Sequence, residues 1–136
     1  MQFNNAIALD VGDKRIGIAR VNKIAQIVRP LATIIREGDE FKQLKDIISR
    51  ESIDLIVIGR PRNMKGEETL QTARIEEFVR LLPENGINIK IVFQDESLTS
   101  VQAENLLKQE KRDYNKSDID MRAACIILQD FLESNI

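Results

Sequence analysis

The chain of 136 residues contains no histidine and a single cysteine. The lack of histidine excludes Ser–His and Cys–His nucleophilic pairs, and metal sites with imidazole ligands, from any site that one chain builds. Cys125 cannot form an internal disulfide, and we expect it to be a small buried apolar residue. The available chemistry is that of carboxylates, lysines and hydroxyl groups, and a bound metal would be a hard ion with oxygen ligands, Mg²⁺ or Mn²⁺.

Long apolar runs and an excess of positive charge are also missing. The longest apolar run, residues 123–128, is far shorter than a membrane span, and the first residues lack the features of a secretory signal. We therefore expect a cytoplasmic protein with no membrane partner. With 20 basic against 22 acidic residues, the formal charge is −2. A nucleic-acid partner would have to be held locally, by a basic loop or through a metal.

The apolar patterns predict one α/β domain over residues 1–136. Strands are predicted at residues 3–11, 15–21, 25–28, 55–58 and 87–93, and helices at 40–51, 67–82, 99–110 and 117–134. Hairpins join antiparallel neighbours, whereas parallel strands need helical crossovers. The order therefore predicts a five-stranded mixed sheet, an antiparallel meander followed by βα units, flanked by helices. Ligands of such sheets bind at the carboxyl ends of the strands.

Three acidic residues lie where such a site would form. Asp10 ends the first apolar strand, where an unpaired buried carboxylate is costly and needs a cation. Glu96 follows the fifth strand in the same way. Asp120 lies in the first turn of the last helix, on the face that also carries Ala124 and Ile127. The small residues that follow it would let this helix approach the sheet closely.

Each acid also has a structural interpretation, and these alternatives stay open. Asp10 precedes Val-Gly, a pattern typical of a turn. Glu96 could pair with a surface lysine. Ser117-x-x-Asp120 has the pattern of a capping box, and Thr99 is typical of a helix cap.

Basic residues accompany these acids in two places. The loop of residues 60–66 contains no acid and follows a strand end beside the predicted site, and its candidate phosphate contacts are Arg60, Arg62, Asn63 and Lys65. An ordinary solvated loop is the alternative. Lys14 and Arg15 lie near Asp10 and are further candidates for phosphate contacts, with a salt bridge to Asp13 as the alternative.

Four segments carry a resemblance. They read ALDVGDKRIG (8–17), VIGRPRNMKG (57–66), DESLTS (95–100) and KSDIDMRAA (116–124), and in order and spacing they resemble the motifs of the YqgF (RuvX) family. The resemblance implies an RNase H-like fold related to the RuvC resolvases. Members of the family are described as Holliday junction resolvases and as nucleases of the 5′ end of pre-16S rRNA. Carried over residue by residue, it places Asp10, Glu96 and Asp120 on acidic active-site positions.

The sequence departs from the family's pattern at four positions. Ser97 stands where the family usually has Arg, Ser117 where it often has Gly, and Arg60 and Arg62 where Leu is common. No departure removes a carboxylate. The change at Ser97 removes one expected phosphate or carboxylate contact, which the loop arginines could replace.

These observations predict a metal-dependent endonuclease acting on pre-rRNA or branched DNA. Two Mg²⁺ ions about 4 Å apart would be bridged by Asp10 and completed by Glu96 and Asp120. Asp95 and Asp118 are candidates to support these ligands. The alternatives are a binding module with a vestigial acidic cluster, acting on RNA or the transcription machinery, and an actin-like ATPase fragment. A monomer and a homodimer both stay open.

Overall fold

The computed structural model describes residues 2–61, 70–96, 99–110 and 113–134, without the side chains of residues 96 and 99–101. Its strands are β1 (Asn5–Val11), β2 (Arg15–Asn22), β3 (Arg29–Ile35), β4 (Leu55–Pro61) and β5 (Lys90–Glu96). Its helices are α1 (Glu40–Arg50), α2 (Leu70–Glu84), α3 (Thr99–Gln109) and α4 (Lys116–Ser134).

The strands form a five-stranded mixed sheet in the order β3-β2-β1-β4-β5. β2 pairs antiparallel with both β1 and β3, whereas β4 pairs parallel with both β1 and β5. The predicted meander followed by βα units is therefore confirmed. Because β1, β4 and β5 run in the same direction, their carboxyl ends lie at one edge of the sheet.

The two faces of the sheet are covered by different helices. On one face, Ile7 and Leu9 pack into a core of large side chains with α1 and α2. On the other face, Ala6 and Ala8 pack against α4. Since side chains alternate along a strand, Asp10 continues the row of small residues under α4. The sheet thus presents its smallest side chains to the helix that carries Asp120.

The third strand differs from the prediction, which placed it at residues 25–28. Those residues lie in the connection between β2 and β3, which begins with a turn in which the Asn22 side chain accepts hydrogen bonds from the N–H groups of Ile24 and Ala25. The strand begins later, at Arg29, and includes Pro30. Proline is tolerated there because β3 is an edge strand of the sheet.

Three further elements have different bounds from the pattern-based ones. β4 continues through Arg60 and Pro61, which were predicted as loop, and β5 lies three residues later than predicted, so that it includes Glu96. Pro83, predicted to end the second helix, lies inside its last turn. The chain leaves that helix at Gly86, whose φ is +80°, and the N–H of Ile87 donates to the carbonyl of Leu82.

The layer between α4 and the sheet contains Cys125, which is buried as predicted. Burial raises the pKa of its thiol to about 11, so the thiolate form is disfavoured. Among the helices in the described part of the chain, none is both long and apolar enough to cross a membrane.

Candidate metal and nucleic-acid site

Asp10 is the next-to-last residue of β1, and its partner across the antiparallel pair is Gly17 on β2. A Cβ added to Gly17 would overlap the backbone carbonyl of Asp120 and lie 2.9 Å from the Asp120 Cβ. The first turns of α4 therefore lie directly on the Asp10–Gly17 pair. A glycine inside a strand indicates a close backbone approach, so this signal was available in the sequence, but no role was predicted for Gly17.

The helix that carries Asp120 is capped by other residues than predicted. The N–H of Asn115 donates to Asp118 Oδ2 at 3.0 Å, and the N–H of Asp118 donates to Asn115 Oδ1 at 3.0 Å. The capping box left open as an alternative for Ser117 and Asp120 is not formed, because the reciprocal pair forms two residues earlier. Asp118, predicted to support a metal ligand, is engaged in this cap, which leaves the Asp120 carboxylate to the site.

A hydroxyl group fixes the start of α4 to the sheet. Thr33 Oγ1 on β3 donates to the carbonyl of Ser117 at 2.9 Å. Further along the helix, Ala124 and Ile127 are buried against the sheet, as predicted from the face they share with Asp120. The position of Asp120 is thus fixed by the Thr33–Ser117 hydrogen bond before it and by the packing of Ala124 and Ile127 after it.

The two carboxylates share a cavity of about 250 Å³, which is lined by Asp10, Gly12, Asp13, Lys14, Arg15 and Asp120. Burial, and to a lesser degree the negative charge of Asp120, together raise the pKa of Asp10 from 3.8 to about 6. The pKa therefore reports two features at once, a carboxylate partly removed from water and a second carboxylate beside it. The prediction that Asp10 and Asp120 meet in space agrees with this geometry.

Arg15 is the cation of this cavity that is bonded to a carboxylate. Its Nε–H donates to Asp120 Oδ2 at 2.5 Å, with 30% of the Arg15 side chain and 15% of the Asp120 side chain exposed. The alternative salt bridge from Arg15 to Asp13 is not formed, and Asp13 instead pairs with Arg74 at 3.8 Å. Within residues 2–61, 70–95 and 113–134, no salt bridge to the Asp10 carboxylate is found.

The turn between β1 and β2, which forms one wall of the cavity, is held by Arg36. The Arg36 backbone N–H donates to the carbonyl of Lys14 at 2.8 Å, and its Nη1 donates to the carbonyl of Gly12 at 2.9 Å. The guanidinium also pairs with Glu40 at 3.2 Å and lies over the Phe78 ring. Sequence reasoning missed Arg36, because no local pattern shows which carbonyl a side chain reaches.

Glu96 occupies the last position of β5, in register with Pro61 of β4. Its backbone therefore lies at the same edge of the sheet as the end of β1. The Glu96 side chain, like that of Thr99, lies outside the described part, so its predicted contact with the other acids stays a prediction. Among the side chains that are described, no group of three acids or thiols could hold a metal ion.

Arg60 lies at the same edge but on the opposite face of the sheet from Asp10, by the alternation of β4. It pairs with Asp95 at 3.0 Å, and its guanidinium lies 4.9 Å from the centre of the Phe93 ring. Asp95, predicted to support a metal ligand, is thus the partner of Arg60. The other predicted contacts of this loop, Arg62, Asn63 and Lys65, lie outside the described residues, as does Ser97.

Comparison with known proteins gives a family match over nearly the whole chain. The family model described as "RuvX: Holliday junction resolvase" matches residues 4–134. A Sulfurihydrogenibium protein named "Putative pre-16S rRNA nuclease" is 40% identical, with 96% of this chain and 91% of the relative covered. A Synechocystis protein of the same name is 38% identical, with 94% of this chain and 86% of the relative covered.

Solved structures show a likeness of fold at low sequence identity. The RuvC of T. thermophilus in complex with a Holliday junction substrate superposes with a TM-score of 0.58 at 8% identity, covering 96% of this chain and 95% of that chain. The Fowlpox virus resolvase in complex with Holliday junction DNA gives a TM-score of 0.60 at 12% identity, covering 97% and 99%. The expected RNase H-like fold is confirmed.

Proposed function

The chain belongs to the RuvX nuclease family, and on that premise we propose that it is a divalent-metal-dependent endonuclease acting on structured nucleic acid in the cytoplasm. Its proposed substrate is pre-16S rRNA, after the names of its relatives, at the 5′ end that the family resemblance implies, and a branched DNA junction is the second candidate, after the description of the family. The observation that carries the proposal is the meeting of Asp10 and Asp120 in one cavity.

The residues of this cavity fit a hard divalent cation. Asp10 and Asp120 supply carboxylate oxygens, the donors that Mg²⁺ and Mn²⁺ prefer. The half-buried Asp10 carboxylate has no cationic partner among the described side chains, and its pKa is raised to about 6. Holding two carboxylates close together costs free energy when only one of them has a cationic partner. A divalent ion bound between them would lower this cost. Glu96, at the same edge of the sheet, is the proposed third ligand.

A bound divalent ion would supply Lewis acidity, lowering the pKa of the attacking water and stabilising charge on the leaving oxygen. The residues of the chain would hold and orient the reacting groups. Asp10 and Asp120 would be oxygen ligands fixed by β1 and α4, which are rigid elements. Lys14, which lines the cavity, would pair with a backbone phosphate and place the scissile bond beside the carboxylates.

Thermal unfolding and cleavage assays together test this function. We expect Mg²⁺ to raise the melting temperature of the wild type, because a ligand that binds the folded state stabilises it. Asp10→Asn should remove both this response and nuclease activity. The matched control is Asp46→Asn, which changes an exposed acid on α1 away from the site and should leave both unchanged.

The outcomes separate the candidate functions. Cleavage of a labelled pre-16S fragment but not of a four-way DNA junction supports the rRNA substrate, and the reverse supports the junction. Binding to nucleic acid with no cleavage in Mg²⁺ or Mn²⁺ would contradict the nuclease and support the binding-module alternative. A thermal response to ATP with Mg²⁺, in place of Mg²⁺ alone, would indicate the ATPase alternative.

A further inference from the structure

The cavity contains a cation that is already bonded to Asp120, one of the two proposed metal ligands that line it. Arg15 Nε donates to Asp120 Oδ2 at 2.5 Å, whereas the Asp10 carboxylate has no ion-pair partner among the described side chains. No hydrogen bond from the two Nη groups of Arg15 to a described residue is found. Arg15 thus donates one hydrogen bond to Asp120, and its Nη groups donate none to a described residue.

We propose that Arg15 is the cation that the divalent metal replaces at Asp120, and that the released guanidinium then binds a phosphate of the nucleic acid. The inference rests on the proposed function and assigns a second role to a residue of the same site. Arg15 would neutralise Asp120 while the site is without metal. After the exchange, one residue would couple metal binding to substrate binding.

The geometry supports an exchange over a permanent ion pair. Oδ2 of Asp120 is engaged by Arg15, so a metal that needs both carboxylates competes with the guanidinium for this residue. Arg15 is 30% exposed and begins β2 directly after the turn of residues 12–14. Its side chain can therefore turn toward solvent without moving the sheet. A guanidinium matches a phosphate with two parallel N–H donors, which makes phosphate a suitable second partner.

A simpler role for Arg15 makes the opposite prediction. If Arg15 only holds the Asp120 carboxylate in place, removing its charge should weaken metal binding, because a ligand is lost or misplaced. If Arg15 competes with the metal, removing its charge should strengthen metal binding. The sign of the change in affinity therefore decides between positioning and exchange.

The first measurement is a Mn²⁺ titration without nucleic acid, followed by melting temperature and calorimetry, on the wild type, Arg15→Gln and Arg15→Lys. We expect Arg15→Gln to bind Mn²⁺ about two- to fivefold more tightly than the wild type, the effect of losing a partly exposed ion pair. The matched control is Arg74→Gln, which removes a charge paired with Asp13 beside the same cavity and should change the affinity less. Equal or weaker binding by Arg15→Gln overturns the proposal.

The second measurement follows the released guanidinium. Binding of a fluorescent four-way junction is compared in EDTA and in Ca²⁺, which takes the same oxygen ligands. We expect Arg15→Gln to bind like the wild type in EDTA, but in Ca²⁺ to bind more weakly, with a salt dependence reduced by about one phosphate contact. An equal loss in both buffers, or in neither, overturns the exchange.

Failure of the exchange differs from failure of the proposed function. If only the exchange fails, the wild type still binds Mn²⁺ through Asp10, but Arg15→Gln does not raise the affinity for Mn²⁺. In the second case the wild type and Asp10→Asn respond to Mn²⁺ alike, which overturns both statements. If Arg15→Gln does not fold, Arg15→Lys provides the test. Its lysine should bond more weakly to Asp120 than the arginine does, so this variant should bind Mn²⁺ more tightly than the wild type and less tightly than expected for Arg15→Gln.

Discussion

Gly17 lies directly against the backbone of Asp120, and these two residues set the distance between α4 and the sheet. Gly17 is also the cross-strand partner of Asp10. A single position without a side chain thus brings together two carboxylates from distant parts of the chain. Gly59 contacts the same helix in a different way, since a Cβ there would meet the end of the flexible Ile127 side chain.

Gly17→Ala should therefore destabilise the fold and disrupt the site. The new methyl group would overlap backbone atoms of α4, which cannot move aside as a side chain can, and overpacking of this kind costs about 1–3 kcal/mol. Because the displaced turn carries Asp120, the melting-temperature response to Mg²⁺ should also fall. Urea unfolding with and without Mg²⁺ measures both effects.

Gly59→Ala is the matched control for this change. It places the same methyl group under the same helix, but the Ile127 side chain can yield. We expect a smaller loss of unfolding free energy and an intact response to Mg²⁺. Equal behaviour of the two variants would show that the approach at Asp120 has no special role.

Stability of the metal-free protein should depend on pH through Asp10. Its pKa is raised from 3.8 to about 6 in the folded protein, first by burial and then by the charge of Asp120. Between these two values the folded state binds more protons than the unfolded state. The unfolding free energy should therefore fall as pH rises from about 4 to 6 and level off above that, with a total loss of up to about 3 kcal/mol.

Asp10→Asn removes this titration, so a comparison with the wild type separates the contribution of Asp10 from that of the other carboxylates. In EDTA, the variant should be as stable as the wild type near pH 4 and more stable at pH 7, since the wild type alone carries the buried charge there. Urea unfolding between pH 4 and 8 measures the difference, with Asp46→Asn as an exposed control. Parallel curves for Asp10→Asn and the wild type would contradict the raised pKa.

The cap of α4 provides a test that distinguishes the role of Asp118 in the cap from the proposed role of Asp120 as a metal ligand. Asn115→Ala and Asp118→Ala each remove one half of the reciprocal cap and should cost about 1 kcal/mol of unfolding free energy. The double variant should cost more than either single variant, because each change removes a different hydrogen bond of the cap. Both single variants should keep the Mg²⁺ response, whereas Asp120→Asn should lose it. Loss of the Mg²⁺ response in Asp118→Ala would indicate that Asp118 takes part in metal binding.

The sequence predicts the parts of this fold that have a local signal. The apolar runs of β1 and β4 predict buried strands, and an acid at the end of β1 predicts a site because burying an unpaired carboxylate is costly. The position predicted for β3, residues 25–28, was wrong, since the turn before the strand depends on the side chain of Asn22 and an edge strand tolerates Pro30.

The contacts that complete the site are not local. The Arg15–Asp120 bond joins residues 105 positions apart, and Arg36 reaches the Gly12 carbonyl from the end of another strand. The pattern of apolar residues does not predict such pairs, because they depend on how the helix and the strands pack in space. Gly17 is the exception, since its place inside a strand is a signal of close approach.

Among the phosphate contacts predicted for the loop of residues 60–66, Arg60 is the one that the structure describes, and its surroundings give a test of that prediction. Its ion pair with Asp95 joins side chains that are 42% and 57% exposed. Such a pair contributes about 0–1 kcal/mol to stability, so stability gives little reason for an arginine at this position. If Arg60 binds phosphate, Arg60→Gln should lower the affinity for nucleic acid and reduce the salt dependence by about one contact.

Asp95→Asn distinguishes this role from a structural one. Both Arg60→Gln and Asp95→Asn break the same ion pair, so a structural role predicts the same result for both. A phosphate contact predicts opposite results, because Asp95→Asn removes the acid that competes with phosphate for Arg60 and should raise the affinity. Fluorescence anisotropy with a labelled four-way junction over a KCl series measures both, with Arg80→Gln on α2 as the exposed control. Changes of the same sign in Arg60→Gln and Asp95→Asn would exclude the phosphate contact.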